Sequence, residues 1–197
     1  MAQREIGLSA GEPPATKGYT PTVFAELPRL LERAGPGLGE GSVTGLFTVL
    51  VEGDDHNEPI SDAVRGILDG HIVLDRTIAH RNRYPAINVQ RSISRMLPDC
   101  HSAEEYSIMH AARRALARYA DMEELIRVGA YTPGSDRETD AAARFFDAAN
   151  AFLSQTRGAT MRAEQSFAEM YRMLLEAGID VPMTPGAAEE TKTGRPG

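Results

Sequence analysis

The 197-residue chain predicts a fold in two parts: α/β with a parallel sheet over residues 1–98, then an all-α helical bundle over 99–178, with a disordered tail over 179–197. Three observations carry this reading. Before Asp99, apolar β-branched runs alternate with helix start and stop signals, and strand, helix, strand in close succession is the βαβ pattern of a parallel sheet. After Asp99, apolar residues recur only at helical spacing. From Ile179 onward, "IDVPMTPGAAEETKTGRPG" is rich in Pro, Gly, Thr and Glu and has almost nothing to bury.

Each element follows from local signals. "TPTVFAELPRLLERAG" places Thr20 at an N-cap and Pro21 at the first helical position, with Val23, Phe24, Leu27, Leu30 and Leu31 on one side and a kink expected at Pro28. "SVTGLFTVLVEGDD" has the composition and length of one buried strand ending in a Gly/Asp turn. "EPISDAVRGILDG" opens a helix at Pro59 and passes its end at Gly70, and "HIVLD" reads as a short strand. Ser102 with Glu105 forms a capping box ahead of a stripe through Tyr106, Met109, Ala112, Leu116, Tyr119 and Ile126. Ser135 with Glu138 repeats the box before Ala142, Phe145, Phe146, Ala149, Phe152 and Leu153. A third stripe runs through Ala163, Phe167, Met170, Tyr171 and Leu174 to Gly178.

Composition excludes several functions. With 21 basic against 28 acidic side chains the net charge is −7, and no basic run stands out, so the many phosphate neutralisations of a non-specific nucleic-acid grip are missing. Cys100 is the single cysteine, which rules out an intramolecular disulfide and a cysteine-based zinc cluster. No apolar run approaches the ~20 residues that cross a bilayer. The histidines, His56, His71, His80, His101 and His110, have no ligand spacing. Asp54 and Asp55 pair two carboxylates, as a magnesium site would, but they follow a strand and read better as a polar turn with Asn57 or Glu58 capping the next helix. No metal site is expected. There is no G-x-x-x-x-G-K-[ST], G-x-G-x-x-G or H-E-x-x-H, so no self-sufficient catalytic constellation is visible.

Three stretches then carry a family resemblance: "AQREIGLSAGEPPATKGYTPTVFAELPRLLERAG", "VLVEGDDHNEPISDAVRGILDGHIVLDR" and "YPAINVQRSISR". In order, and over residues 2 to about 178, the chain resembles the second half of the flagellum-specific ATPases of type III export. These are related to the injectisome ATPases and to the α and β subunits of rotary ATP synthases. The resemblance implies a partial RecA-like P-loop NTPase core without Walker motifs, followed by a helical domain. It also implies that the P-loop and the catalytic carboxylate lie upstream of the segment seen here. The implied assembly is a cytoplasmic homohexamer, peripheral at the membrane export apparatus. It would hydrolyse ATP with magnesium to export flagellar proteins and would contact a coiled-coil stalk protein, export chaperones, export substrates and, indirectly, the membrane export gate. This chain alone is expected to bind neither ATP nor magnesium tightly and to be inactive. Alternatives are a nucleotide-independent module binding a stalk protein or chaperone, and an injectisome or rotary ATP synthase subunit.

The resemblance assigns residues one by one. Arg95, in the S-x-S-R pattern, corresponds to an arginine finger acting in trans on the γ-phosphate of a neighbouring subunit's ATP; otherwise it is a surface arginine paired with Asp99 or solvated. Tyr84 and Pro85 correspond to an adenine-stacking wall, or else to a turn packed on the end of a short strand. Phe152, in "FLSQ", corresponds to a second aromatic of that pocket, but Thr156 and Arg157 depart from the rotary pattern and core packing is the simpler role. Lys17, in "GEPPATKGYTP", has no Walker context and is implied to lie on a pore-facing loop. "AYTPGSDRETD", with Asp136, Glu138 and Asp140, stands where rotary subunits meet the stalk, or is an ordinary capped loop.

Overall fold

The computed structural model describes residues 2–51, 53 and 58–182, so the Asp54 and Asp55 pair, Asn57 and residues 183–197 lie outside it. The chain divides into two compact units, with the division between His71 and Ile72.

In the first unit, α1 (Ala2–Ser9) and α3 (Pro59–Ile67) both pack against α2 (Pro21–Leu31). A Cβ on Gly7 would lie 2.5 Å from Thr20 Oγ1, and Thr20 is fully buried, so a glycine is what lets α1 approach the start of α2. Thr20 and Pro21 hold the extended N-cap and first helical position that the Thr-Pro signal predicts. The Thr20 side chain does not cap, however. The Glu12 carboxylate instead accepts from the N–H of Thr22 at 3.3 Å and from its hydroxyl. The helix α2 continues through Pro28 to Leu31, and α3 begins at Pro59 behind Glu58, as expected.

The parallel sheet expected in residues 1–98 does not appear among the described residues. Of the predicted strand "SVTGLFTVLVEGDD", the described residues form only β2 (Ser42–Val43), paired antiparallel with β1 (Gly35–Pro36). Beyond it, Leu46 and Leu50 are 92% and 93% exposed. The physical reason is that strand composition specifies a surface to be packed, whereas a ladder needs a neighbour for every N–H and C=O. Among the described residues no strand pairs with 44–51. "HIVLD" likewise yields only the end of β3 (Gly70–His71), and its last residues serve another purpose described below.

The second unit contains α4 (Arg76–His80), β4 (Ile93–Ser94) and a bundle of α5 (Ala103–Arg127), α6 (Arg137–Leu153) and α7 (Ala163–Ala177) that pack on one another pairwise. Ile108, Ala111, Ala112 and Ala115 make the inner stripe of α5, and their small size lets Phe145 and Leu174 fill the centre at 1% and 0% exposure. The core continues past α7 to Ile179 and Val181. Ser102 and Glu105 form the predicted capping box, each accepting the other's backbone N–H at 3.1 Å. Gly178, in the left-handed region at φ 83°, ends α7 where the sequence placed its end.

The start of α6 departs from expectation. Its N-cap is Asp136 rather than Ser135, whose hydroxyl donates to the Thr132 carbonyl at 2.7 Å. The Asp136 carboxylate accepts from the backbone N–H groups of Glu138 and Thr139, both at 3.2 Å, and from Arg118 at 2.6 Å. A charged carboxylate serves the positive helix end and a guanidinium together, which a hydroxyl cannot do. The Thr139 hydroxyl, then Arg118, hold the Asp136 carboxyl down at about 2.

Two outcomes follow. Leu174→Ala removes a fully buried side chain and should cost about 2–5 kcal/mol in urea unfolding; a loss below about 1 kcal/mol would contradict this core. For Asp136, the native carboxyl titrates near 2 and the unfolded one at about 3.9. Its stabilisation is complete above about pH 4 and disappears as pH falls toward about 2. Asp136→Asn keeps a capping side chain and should flatten the thermal midpoint across that acid window, while an unchanged acid limb would refute the assignment.

Candidate functional site

Residues 73–75 run antiparallel to 86–88: the Asp75 N–H donates to Ala86 O at 2.9 Å, the Asn88 N–H donates to Val73 O at 2.8 Å, and Leu74 bridges Ile87. Between these segments Asp75 caps α4, accepting from the Thr77 N–H at 2.9 Å and its hydroxyl at 2.7 Å. Asn82, at φ 57°, turns the chain back in the left-handed region that asparagine tolerates. Hydrogen bonds from Thr77 and then Asn88 hold the Asp75 carboxyl at about 2.

Asn88 is the junction of this segment. Its Nδ2 donates to Asp75 Oδ2 at 3.0 Å, and its Oδ1 accepts the Arg91 N–H at 3.1 Å. Its carbonyl accepts the Ser92 N–H at 3.1 Å and the Ser92 hydroxyl at 2.7 Å. Ser92 Oγ in turn accepts the Val73 N–H at 3.0 Å. Asn88 stands in no motif, and its role follows only from the partners the fold brings to it.

The segment leads directly into "SISR". Ser94 Oγ accepts the Met96 N–H at 3.3 Å, and Arg95 is exposed. From α5, Arg113 reaches across to the same loop: Nη1 donates to Val89 O at 3.1 Å and Ser92 O at 3.3 Å, and Nη2 donates to Gln90 O at 3.2 Å. Arg113 is a helix-surface arginine that carries no motif, so the sequence alone gives it no role.

Tyr84 is 54% exposed and joined to Pro85 by a cis peptide bond. Its carbonyl accepts the Gln155 N–H at 2.7 Å, so the structure brings the "YP" turn to the end of "FLSQ". Phe152 itself packs against the bundle core. Beside this junction a cleft of about 620 Å³ opens between α4 and the helices, lined by Arg81, Asn88, Tyr119, Glu123, Phe146 and Asn150 among others. Tyr119 and Phe146 stack with centroids 3.7 Å apart. Burial, then Glu123, pushes the Tyr119 hydroxyl up, while burial and neighbouring Arg81 pull Arg83 down. Tyr84, Pro85, Arg95 and Phe152 do not line this cleft.

Lys17 lies exposed in a turn at φ 52°. In "AYTPGSDRETD", Asp136 is engaged as described. Asp140 accepts from the Tyr131 hydroxyl at 2.9 Å and the Gly134 N–H at 2.8 Å, and Glu138 is exposed. Two of the stretch's carboxylates therefore stabilise the loop itself. Among the described residues, no group of three or more His, Cys, Asp or Glu could hold a metal ion, and no helix is long and apolar enough to cross a membrane.

Residues 1–94 match the model of the ATP synthase alpha/beta family, nucleotide-binding domain, and residues 101–172 match the T3SS EscN ATPase C-terminal domain. A flagellum-specific ATP synthase from Caulobacter vibrioides is 57% identical over 180 residues, covering 88% of this chain and 40% of the relative. One from Bacillus subtilis is 52% identical over 170 residues, covering 86% and 39%. The chain thus spans about 40% of the length of these relatives. Among solved structures, the assembled ATPase EscN of the enteropathogenic E. coli type III secretion system superposes with a TM-score of 0.83 at 40% identity, over 88% of this chain and 42% of that one. EscN in complex with its central stalk EscO superposes with a TM-score of 0.76 at 38% identity, over 88% and 41%. The chain belongs to the ATP synthase alpha/beta family, in the branch of flagellum-specific and type III secretion ATPases.

Proposed function

We propose that this chain supplies the carboxy-terminal part of a flagellar export ATPase that works as a homohexamer and couples MgATP hydrolysis to export of flagellar proteins. The observation that carries this reading is the 57% identity over 180 residues to a flagellum-specific ATP synthase. The matches over 1–94 and 101–172 support a boundary near residue 98 between the nucleotide-binding part and the helical part. That EscN assembles, and does so with a central stalk, supports a ring with a coiled-coil stalk here. Chaperones and export substrates meet the helical part in this reading, and the assembly sits at the cytoplasmic face of the export apparatus, touching the membrane gate only through partners.

The residues present divide the nucleotide's requirements unevenly. No P-loop sequence occurs in the chain, and the described residues offer no metal-binding cluster. They do not fit a triphosphate with its magnesium. They do fit two peripheral roles. Tyr84 presents an exposed aromatic face beside Pro85, suited to a flat base, and its carbonyl is held by Gln155, three residues past Phe152, the second aromatic of that pocket in this reading. Arg95 presents an exposed guanidinium at the end of a firmly bonded segment, suited to the phosphate oxygens of a nucleotide on the neighbouring subunit.

The chain alone should show no ATP hydrolysis. When it replaces the matching segment of the Caulobacter relative, the chimera should turn over MgATP, and Arg95→Ala should lower kcat by about 10³–10⁵-fold. Arg95→Lys should fail to restore turnover, because an ammonium lacks the planar donor fork. An active chimera whose kcat is indifferent to Arg95→Ala would overturn the arginine assignment.

A further inference from the structure

We infer that Arg113 is a positioning residue that fixes the main-chain path into Arg95. The inference deepens the proposed function and rests on it for the catalytic role of Arg95, but the positioning contact itself stands on geometry alone. Three carbonyls, those of Val89, Gln90 and Ser92, converge on one guanidinium at 3.1, 3.2 and 3.3 Å. Carbonyls gathered in this way repel one another, and a delocalised cation with several fixed donors relieves that repulsion better than water does. The loop is fastened on its other side by Asn88 and Ser92. These two attachments restrain its swing, and Arg95 lies three residues beyond Ser92. Arg113 projects from α5 two residues before Ala115 and one after Ala112, both buried, so its Cα is anchored by the bundle core. The helical part thereby sets the reach of an arginine that belongs to the nucleotide-binding part.

A displacement of about 1 Å at a catalytic group costs about 10²-fold in rate, so the contact has a kinetic reading as well as a structural one. The test begins with amide hydrogen exchange on the full 197-residue chain. Arg113→Ala should accelerate exchange of the Arg91 and Ser92 amides by about tenfold while peptides from α6 and α7 keep their wild-type rates. Unchanged exchange at those amides would overturn the inference. Arg113→Lys keeps the charge but replaces the planar fork with a single nitrogen that cannot span the spread carbonyls, and should give an increase of about threefold; a lysine variant matching the wild type would overturn the forked contact, and it also decides the matter if the alanine variant fails to fold. Arg114→Ala, one position along the helix, is the control and should leave the loop as it is. In the chimera with the Caulobacter relative, Arg113→Ala should lower kcat by about 10²-fold with KM for ATP within about threefold. Unaltered kcat in a chimera that does require Arg95 would overturn the positioning role. Indifference to Arg95→Ala would instead defeat the finger assignment and leave the exchange result to judge the contact.

Discussion

Asn88 uses all of its polar groups, and the path of the chain from Val73 to Ser92 depends on that. Its amide nitrogen holds Asp75, its amide oxygen holds Arg91, its carbonyl takes both the N–H and the hydroxyl of Ser92, and its own N–H closes on Val73. One residue, through its side chain and its main chain together, therefore joins the cap of α4, the antiparallel contact of 73–75 with 86–88 and the approach to "SISR". Hydrogen bonds of this kind are modest singly, about 1 kcal/mol each. Their effect here is geometric, since no member can move without leaving a neighbour unsatisfied.

The bundle supplies the fixed frame for this segment. The alanine stripe of α5 brings the three long helices close enough for Phe145 and Leu174 to be enclosed, and Asp136 ties the turn between α5 and α6 to Arg118 on α5. From that frame the contacts reach outward. Gln155, just past α6, holds the Tyr84 carbonyl, and Arg113 on α5 holds the carbonyls ahead of "SISR". The carbonyl of Tyr84 is thus held from just past the end of α6, and the carbonyls ahead of Arg95 are held from α5.

The helices were legible in the sequence because their signals are local. The Ser102–Glu105 box, Pro21, Pro59 and Gly178 all act within one turn of chain, and all stand where they were expected. The strands were not legible, because "SVTGLFTVLVEGDD" states an appetite for burial and says nothing about a pairing partner. The exchange of Ser135 for Asp136 at the N-cap has a similar cause. What favours Asp136 is Arg118, eighteen residues away in sequence. Arg95 and Tyr84 were expected from a motif and not from their surroundings, whereas Asn88, Arg113 and the Tyr119–Phe146 cleft are defined by surroundings alone and escaped notice.

The three oxygens that Arg113 grips are backbone atoms, present whatever side chains the loop carries. Val89 and Gln90 can therefore be exchanged for other residues without altering what the guanidinium meets, as long as the turn keeps its shape. The tolerance is one-sided: the loop is read by its form and the helix by its chemistry, so substitutions at residue 113 have no equivalent latitude. Drift in the loop and constancy on the helix would be the mutational signature of this contact.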